Sequence, residues 1–333
     1  MMSLRENFRK FNNSGIFGRW EWILILLFGV LLVGSSFISP YFLDPLNLLD
    51  MTFNFMEKGI IALIMALIII TGNIDLSVAS NMALSAAVMG IAFQSGLNIW
   101  AAVFLSLVTA VLGGLFNGLI ITKIKLPAIV VTLGTYVLYR GLAYVLLGDT
   151  AVTGFPAEYG ILGQGYLGTS PVPIQLAIFL ILAVIFWYVL HFTVFGRSVY
   201  AIGSNEQACR YSNIPVDRIK IILFTLSGLF SAFSAILLTS RIGSARPDIA
   251  SGYEMEIITA VVLGGVSILG GSGNMIGVVL SLFLIGTARY SMGLLNIPGQ
   301  VMTVIIGFLL IGAILLTRLM QRLSLKTDRL INK

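Results

Sequence analysis

The sequence predicts an all-α, polytopic membrane protein with about ten transmembrane helices, and three observations carry that prediction. Of 333 residues, 58% are hydrophobic and 10% charged, whereas a soluble domain carries about 25% charge. With a mean hydropathy of +0.99, this excludes a soluble globular enzyme and a disordered chain. The apolar residues form long unbroken blocks instead of alternating, which excludes an outer-membrane barrel. Between the blocks lie basic clusters, within totals of 20 Lys and Arg against 14 Asp and Glu. In a membrane protein that excess marks cytoplasmic loops and not a nucleic-acid surface. The single Cys209 and single His191 exclude an internal disulfide, a Cys-based zinc site and a His-rich metal site.

A crossing helix needs about 20 apolar residues. Trp22 to Leu43 is the first such run, read as a retained helix and not a cleaved signal. The second follows Glu57-Lys58 and ends near Gly72-Asn73. Leu76 to Thr122 has no charge over 47 residues, too long for one helix. The turn Ser95-Gly96-Leu97-Asn98 divides it into spans three and four. Pro127 to Leu147 is the fifth and contains Arg140; a Gly-, Pro- and Thr-rich loop covers Gly148 to Pro173; the sixth ends at Phe195. After the polar segment Gly196 to Lys220 comes the seventh, Ile221 to Ser240. The eighth and ninth share Ile257 to Ala288, broken at Gly270-Gly271-Ser272-Gly273-Asn274. Asn296-Ile297-Pro298 precedes the tenth, Gly299 to about Thr317. With both termini cytoplasmic, fifteen of the 20 basic residues fall inside, and only Lys58, Arg140, Arg241, Arg246 and Arg289 do not.

Three segments carry candidate chemistry. In the polar segment, Ser204 to Gln207 fits a capping box, Asn213 suits a left-handed C′ position, and Pro215 ends the helix. A short helix follows, over 203–214, with Glu206 and Arg210 spaced i, i+4 on one exposed face. It is either an ordinary connection or a docking helix for a partner protein. In Thr71 to Ser77, Asp75 is either a functional carboxylate at membrane depth or the N-cap of the third helix. Ala260 to Gly277 has neither a P-loop lysine nor dinucleotide spacing. Gly273 to Gly277, like Gly114 to Gly118, suits close helix packing; a broken helix lining a pathway is the other reading.

No enzyme is expected, and no catalytic residue. Gly270 to Gly273 matches the Gly-x-Ser-Gly of membrane serine proteases. The lone His191 precedes it, whereas in those proteases the histidine follows the serine, and no His-Glu-x-x-His is present.

Four segments together resemble one family: TGNIDLS from Thr71, KLPAIVVTLGTYVLYRG from Lys125, the Gly196 to Lys220 segment, and ITAVVLGGVSILGGSGNMIG from Ile258. They are similar to the permease subunits of bacterial ABC importers for ribose, rhamnose, xylose and the sugar-like autoinducer signal, over roughly Phe42 to Leu310. The resemblance implies a vitamin-B12-permease-like fold in the bacterial inner membrane, two permeases per transporter as homo- or heterodimer, and lipid contact all round. It implies ABC ATPase subunits, separate or fused in tandem, and a periplasmic sugar-binding protein. ATP would be bound by the partner, since the chain has no Walker motif and no cofactor site of its own. The ATPase-docking residues would be Gly203, Ser204, Asn205, Glu206, Arg210 and Asn213. Pathway or gate candidates are Asn73, Asp75, Ser77, Gly271 and Gly273. Asn73 and Ala79 stand where glycines are common, and Ser204, Cys209 and Asn213 also depart from the pattern.

The expected function is import of a monosaccharide or sugar-like molecule from periplasm to cytoplasm by alternating access. A secondary transporter of a small neutral solute is the alternative. It would need buried ionisable residues for ion coupling, and only Asp75, Arg140 and Arg289 offer themselves. A passive channel would need charge rings or a carbonyl filter, and no such pattern stands out.

Overall fold

The computed structural model describes residues 19–39, 41–308 and 311–312. The basic residues at 5, 9 and 10, the far end of the tenth predicted span and the basic tail from 318 onward lie outside the described residues. The helices are α1 (Arg19–Ser36), α2 (Pro45–Asp50), α3 (Met56–Ile70), α4 (Val78–Gln94), α5 (Ile99–Leu119), α6 (Ala128–Leu147), α7 (Ala157–Gln164), α8 (Ile174–Phe192), α9 (Val194–Ser204), α10 (Glu206–Tyr211), α11 (Val216–Ile242), α12 (Tyr253–Leu263) and α13 (Met275–Leu294). A last described helix, α14, covers Gly299–Phe308. The chain is not purely helical: β1 (Val152–Thr153) pairs antiparallel with β2 (Ser244–Ala245), Val152 opposite Ala245.

Each predicted span contains a helix, but among the described residues five helices are long and apolar enough to cross a membrane. A sixth is added if the bent pair Pro45–Asn54 and Met56–Ile70, at 60°, counts as one. The shortfall has local causes. Helix α12 stops at Leu263, seven residues before Gly270 opens the predicted glycine break, because Gly265 turns left-handed at φ +88°. Its 11 residues rise only about 16 Å. Three short helices occupy stretches read as loop or, for α9, as part of the polar segment. Asp44 caps α2 by accepting from the Leu46 N–H at 3.0 Å, α7 sits in the Gly148 to Pro173 loop, and α9 fills the start of the polar segment.

Helix α3 is the axis of the molecule. All 15 of its residues are buried, with α8, α9, α11, α12 and α13 around it. The outer faces of α5, α6 and α8 carry exposed Phe104, Leu112, Val137, Val145, Ile181 and Val184, a surface that suits lipid. Helices α5 and α11 press backbone to backbone. A Cβ on Gly114 would strike the Phe224 carbonyl oxygen, and one on Gly228 the Ala110 carbonyl oxygen. A Cβ on Gly118 would stand 3.0 Å from Ile221 Cα. Gly277 meets the Gly264 carbonyl in the same way between α12 and α13. The predicted glycine spacings at Gly114–Gly118 and Gly277 therefore mark helix packing.

Candidate functional site

The polar segment folds as two helices broken at Asn205. Gly196 lets α9 turn tightly against the Leu190 carbonyl at the end of α8, and Thr193 caps it by accepting from the Gly196 N–H at 3.2 Å. Asn205 is extended (φ −163°, ψ 97°), and its side chain accepts from the Ala208 N–H at 2.9 Å. The cap is thus Asn205, one residue later than the predicted Ser204 box. Ser204 still belongs to α9, its hydroxyl turned back to the Tyr200 carbonyl at 3.0 Å. The predicted helix over 203–214 shrinks to Glu206–Tyr211 because Asn205 leaves helical geometry. Its end is as the sequence implies. Asn213 is left-handed at φ 58°, with the Ile214 N–H bonded to Cys209 O and the Asn213 N–H to Arg210 O.

Its charges are tied internally. Arg210 pairs with Glu206 at 2.9 Å and with Asp217 at 2.6 Å, and Lys220 pairs with Glu206 at 2.7 Å. Burial works to raise the Glu206 carboxyl, but Lys220 and Arg210 outweigh it and hold it below the usual carboxylate value. Hydrogen bonds to Asp217 and Glu206 push the Arg210 guanidinium up. These residues therefore fasten α10 to α11, and are not the free polar face expected from the sequence. Reversing Arg210 would crowd three carboxylates together, so it tests folding and not docking. With Cys209 buried, the outward face presents Asn205, Gln207, Ala208, Ser212, Asn213 and above all Tyr211, which is 91% exposed. Sequence analysis did not single out Tyr211; its place two residues after an inward cysteine was the available signal.

Gly203, Gly271 and Gly273 meet at this same end. A Cβ on Gly203 would run into Ile70 O and Gly271 N. Gly271 (φ +75°) donates its N–H to Ile70 O at 2.8 Å and faces Ser204, whose Oγ would lie 2.7 Å from its Cβ. Tyr200 donates to Gly273 O at 2.7 Å. Across the turn, Trp20 Nε1 donates to Leu263 O at 2.8 Å and Asn274 to Glu21 at 2.7 Å, pinning α1 to it. Asn73 stays within its own turn, donating to Thr71 O and Oγ1 at 3.1 and 2.9 Å.

Asp75 and Ser77 are 2% and 1% exposed. The Asp75 carboxylate accepts from the Ser77 N–H (2.9 Å), Ser77 Oγ (2.6 Å) and, across to α11, Ser227 Oγ (2.7 Å). Asn117 of α5 donates to Ser77 Oγ at 2.8 Å. Asp75 is not the N-cap: α4 starts at Val78 with Ser77 in that position. Because Asp75 bonds two residues ahead, it shapes the turn before the helix and ties α4, α5 and α11 together.

At the opposite end, Lys58 and Arg289 both pair with Glu256, the first at 2.7 Å, and Arg241 pairs with Glu57 at 2.9 Å. Lys58 also lies 4.1 Å over the Tyr253 ring. Beside Lys58 and Arg289 is a small cavity lined also by Phe55, Leu282 and Gly286. Arg140 donates to the Pro247 and Ile249 carbonyls at 2.7 and 2.8 Å, and Arg246 pairs with Asp248. All five basic residues that break the inside bias are thus compensated. Among the described residues no group of three or more His, Cys, Asp and Glu could hold a metal ion.

A bundle of long apolar helices around a buried polar seam, with a separately capped helical protrusion at one end, has the build of a multi-pass membrane permease. The chain belongs to the family described as "Branched-chain amino acid transport system / permease component", which it matches over residues 47–314. It is 40% identical over 292 residues to the ribose import permease protein RbsC of Bacillus subtilis (strain 168), covering 87% of this chain and 90% of that one. It is 38% identical over 296 residues to the autoinducer 2 import system permease protein LsrD of Escherichia coli (strain K12), covering 88% and 90%. No solved structure matches the chain. The chain is accordingly a transport component and not an enzyme.

Proposed function

We propose that the chain is the membrane subunit of an ATP-driven importer for a monosaccharide or sugar-like molecule. The observation that carries this reading is the 40% identity to a ribose import permease across 87% of the chain. In this reading the chain crosses the bacterial inner membrane about ten times in a vitamin-B12-permease-like arrangement, with both termini cytoplasmic. It pairs with a second permease, ABC ATPase subunits bind the α9–α10 end and supply ATP binding, and a periplasmic sugar-binding protein delivers the solute. Asn73, Asp75, Ser77, Gly271 and Gly273 govern the route through the shape of the two turns that carry them. Lys58 and Arg289 pair with Glu256, Arg241 pairs with Glu57, and Asp75 accepts three hydrogen bonds, so none of these groups stands free for ion coupling.

The test is co-purification and reconstitution. The chain is expected to retain an ATPase, and vesicles containing the complex and its binding protein to accumulate labelled ribose or autoinducer 2 only with ATP. Uptake by the chain without an ATPase would make it a secondary transporter. Tyr211→Ala is expected to leave membrane levels normal but weaken ATPase retention roughly 30-fold, the loss of an aromatic anchor worth about 2 kcal/mol. Normal retention would remove Tyr211 from the docking face.

A further inference from the structure

We infer that Gly203 and Gly271 are positioning residues for energy coupling. They let the end of α9 bear directly on the end of α3 and on the α12–α13 turn, so that a displacement of α10 reaches those remote elements by backbone contact. This rests on the reading of the chain as an ATP-driven permease.

Three observations carry the inference. First, neither glycine has room for a side chain: a Cβ on Gly203 would clash with both Ile70 O and Gly271 N, and Gly271 is left-handed against Ser204. Backbone packed on backbone cannot absorb a push by changing rotamer, so strain passes through it. Second, the contact is bonded. The Gly271 N–H donates to Ile70 O at 2.8 Å, and the Tyr200 hydroxyl of α9 donates to Gly273 O at 2.7 Å. Third, both receiving turns are anchored further on. Trp20 and Glu21 tie the α12–α13 turn to α1, and Asp75 ties the α3–α4 turn to Ser227 of α11. A contiguous set of packed and bonded elements is what a coupling route requires. The junction moves as one body with the docking helix and hands its motion to α1, α3, α11, α12 and α13.

The test uses the importer purified with its ATPase, carrying Cys209→Ala and spin labels at Arg218→Cys, at the start of α11 where ion pairs fasten it to α10, and at Leu269→Cys, both exposed and neither on the face assigned to docking. The label-to-label distance is measured without nucleotide and after trapping with ATP and vanadate. The expected result is one unchanged distance in both states. In Gly203→Ala the ATPase stays bound and still turns over ATP, but the distance becomes nucleotide-dependent. A distance that changes on trapping with both glycines in place overturns the inference, and that comparison stands even if Gly203→Ala fails to fold. So does a Gly203→Ala variant whose distance differs equally in both states, the mark of a merely structural role. Absence of nucleotide trapping would instead overturn the permease reading, and the inference with it.

Discussion

Asp75 shows what one carboxylate does away from any cation. It collects donors from Ser77 and Ser227, so its replacement by leucine strands buried hydroxyls at about 1–3 kcal/mol each. Asp75→Leu should therefore lower the melting temperature in detergent clearly, and Asp75→Asn less, since hydroxyls can rotate to meet an amide. An unchanged melting temperature for Asp75→Leu would refute the seam. Glu206 makes the opposite use of charge. Lys220 and Arg210 hold its carboxyl low despite burial, so the folded state binds the proton less readily than the unfolded one. Its contribution is therefore complete above the unfolded value and is lost as pH falls through the depressed folded value. The protection of the amides across Glu206–Tyr211, with the pH dependence of intrinsic exchange divided out, should stay constant from neutral pH into the ordinary carboxylate range and fall only below it. Glu206→Gln should flatten that acid response, and an unaltered profile would show that this tie does not hold α10.

The elements differ in how far the sequence disclosed them. The long helices α5, α6, α8 and α11 announce themselves through unbroken apolar runs. The Asn213 cap is visible because few residues other than glycine accept φ near 60°. The helix start at Asn205 was not visible, since Ser204 and Asn205 are both good caps and only the packing of Gly203 on Ile70 decides between them. Helices α7 and α9 were hidden for another reason. Their burial depends on remote partners, such as Ser240, which accepts the Gly163 N–H at 2.8 Å, and local patterning cannot register these. At the packed glycines, Gly114→Val and Gly228→Val should overpack the α5–α11 seam at a cost of at least about 1–3 kcal/mol and reduce folded protein. Gly134 lies in the exposed face of α6 with nothing near its Cβ position. Gly134→Ala should leave yield intact and stabilise by up to about 1 kcal/mol. Thermal stability in detergent separates these outcomes, and equal yields from all three would mean the α5–α11 contact is incidental.

For the whole molecule, the charge bias and the structure can be checked against each other. Ser204 and Glu158 lie toward opposite ends of the bundle. A reporter active only in the periplasm should work after Glu158 and fail after Ser204, and the reverse pattern would invert the protein. The five basic residues outside the predicted cytoplasmic segments looked like exceptions in the sequence because it does not show that Glu57, Asp248, Glu256 or the Ile249 carbonyl lies beside them. The same ion pairs set a problem of timing during synthesis. Glu57 precedes Arg241 by 184 residues, and Lys58 precedes Glu256 by 198. At about 5–20 residues per second, the charges at the head of α3 wait roughly 10–40 s for their counterions to leave the ribosome. The helix at the centre of the finished bundle is thus among the first made and the last to be fully enclosed, and throughout that interval its charged end must be sheltered by water, lipid headgroups or the insertion machinery.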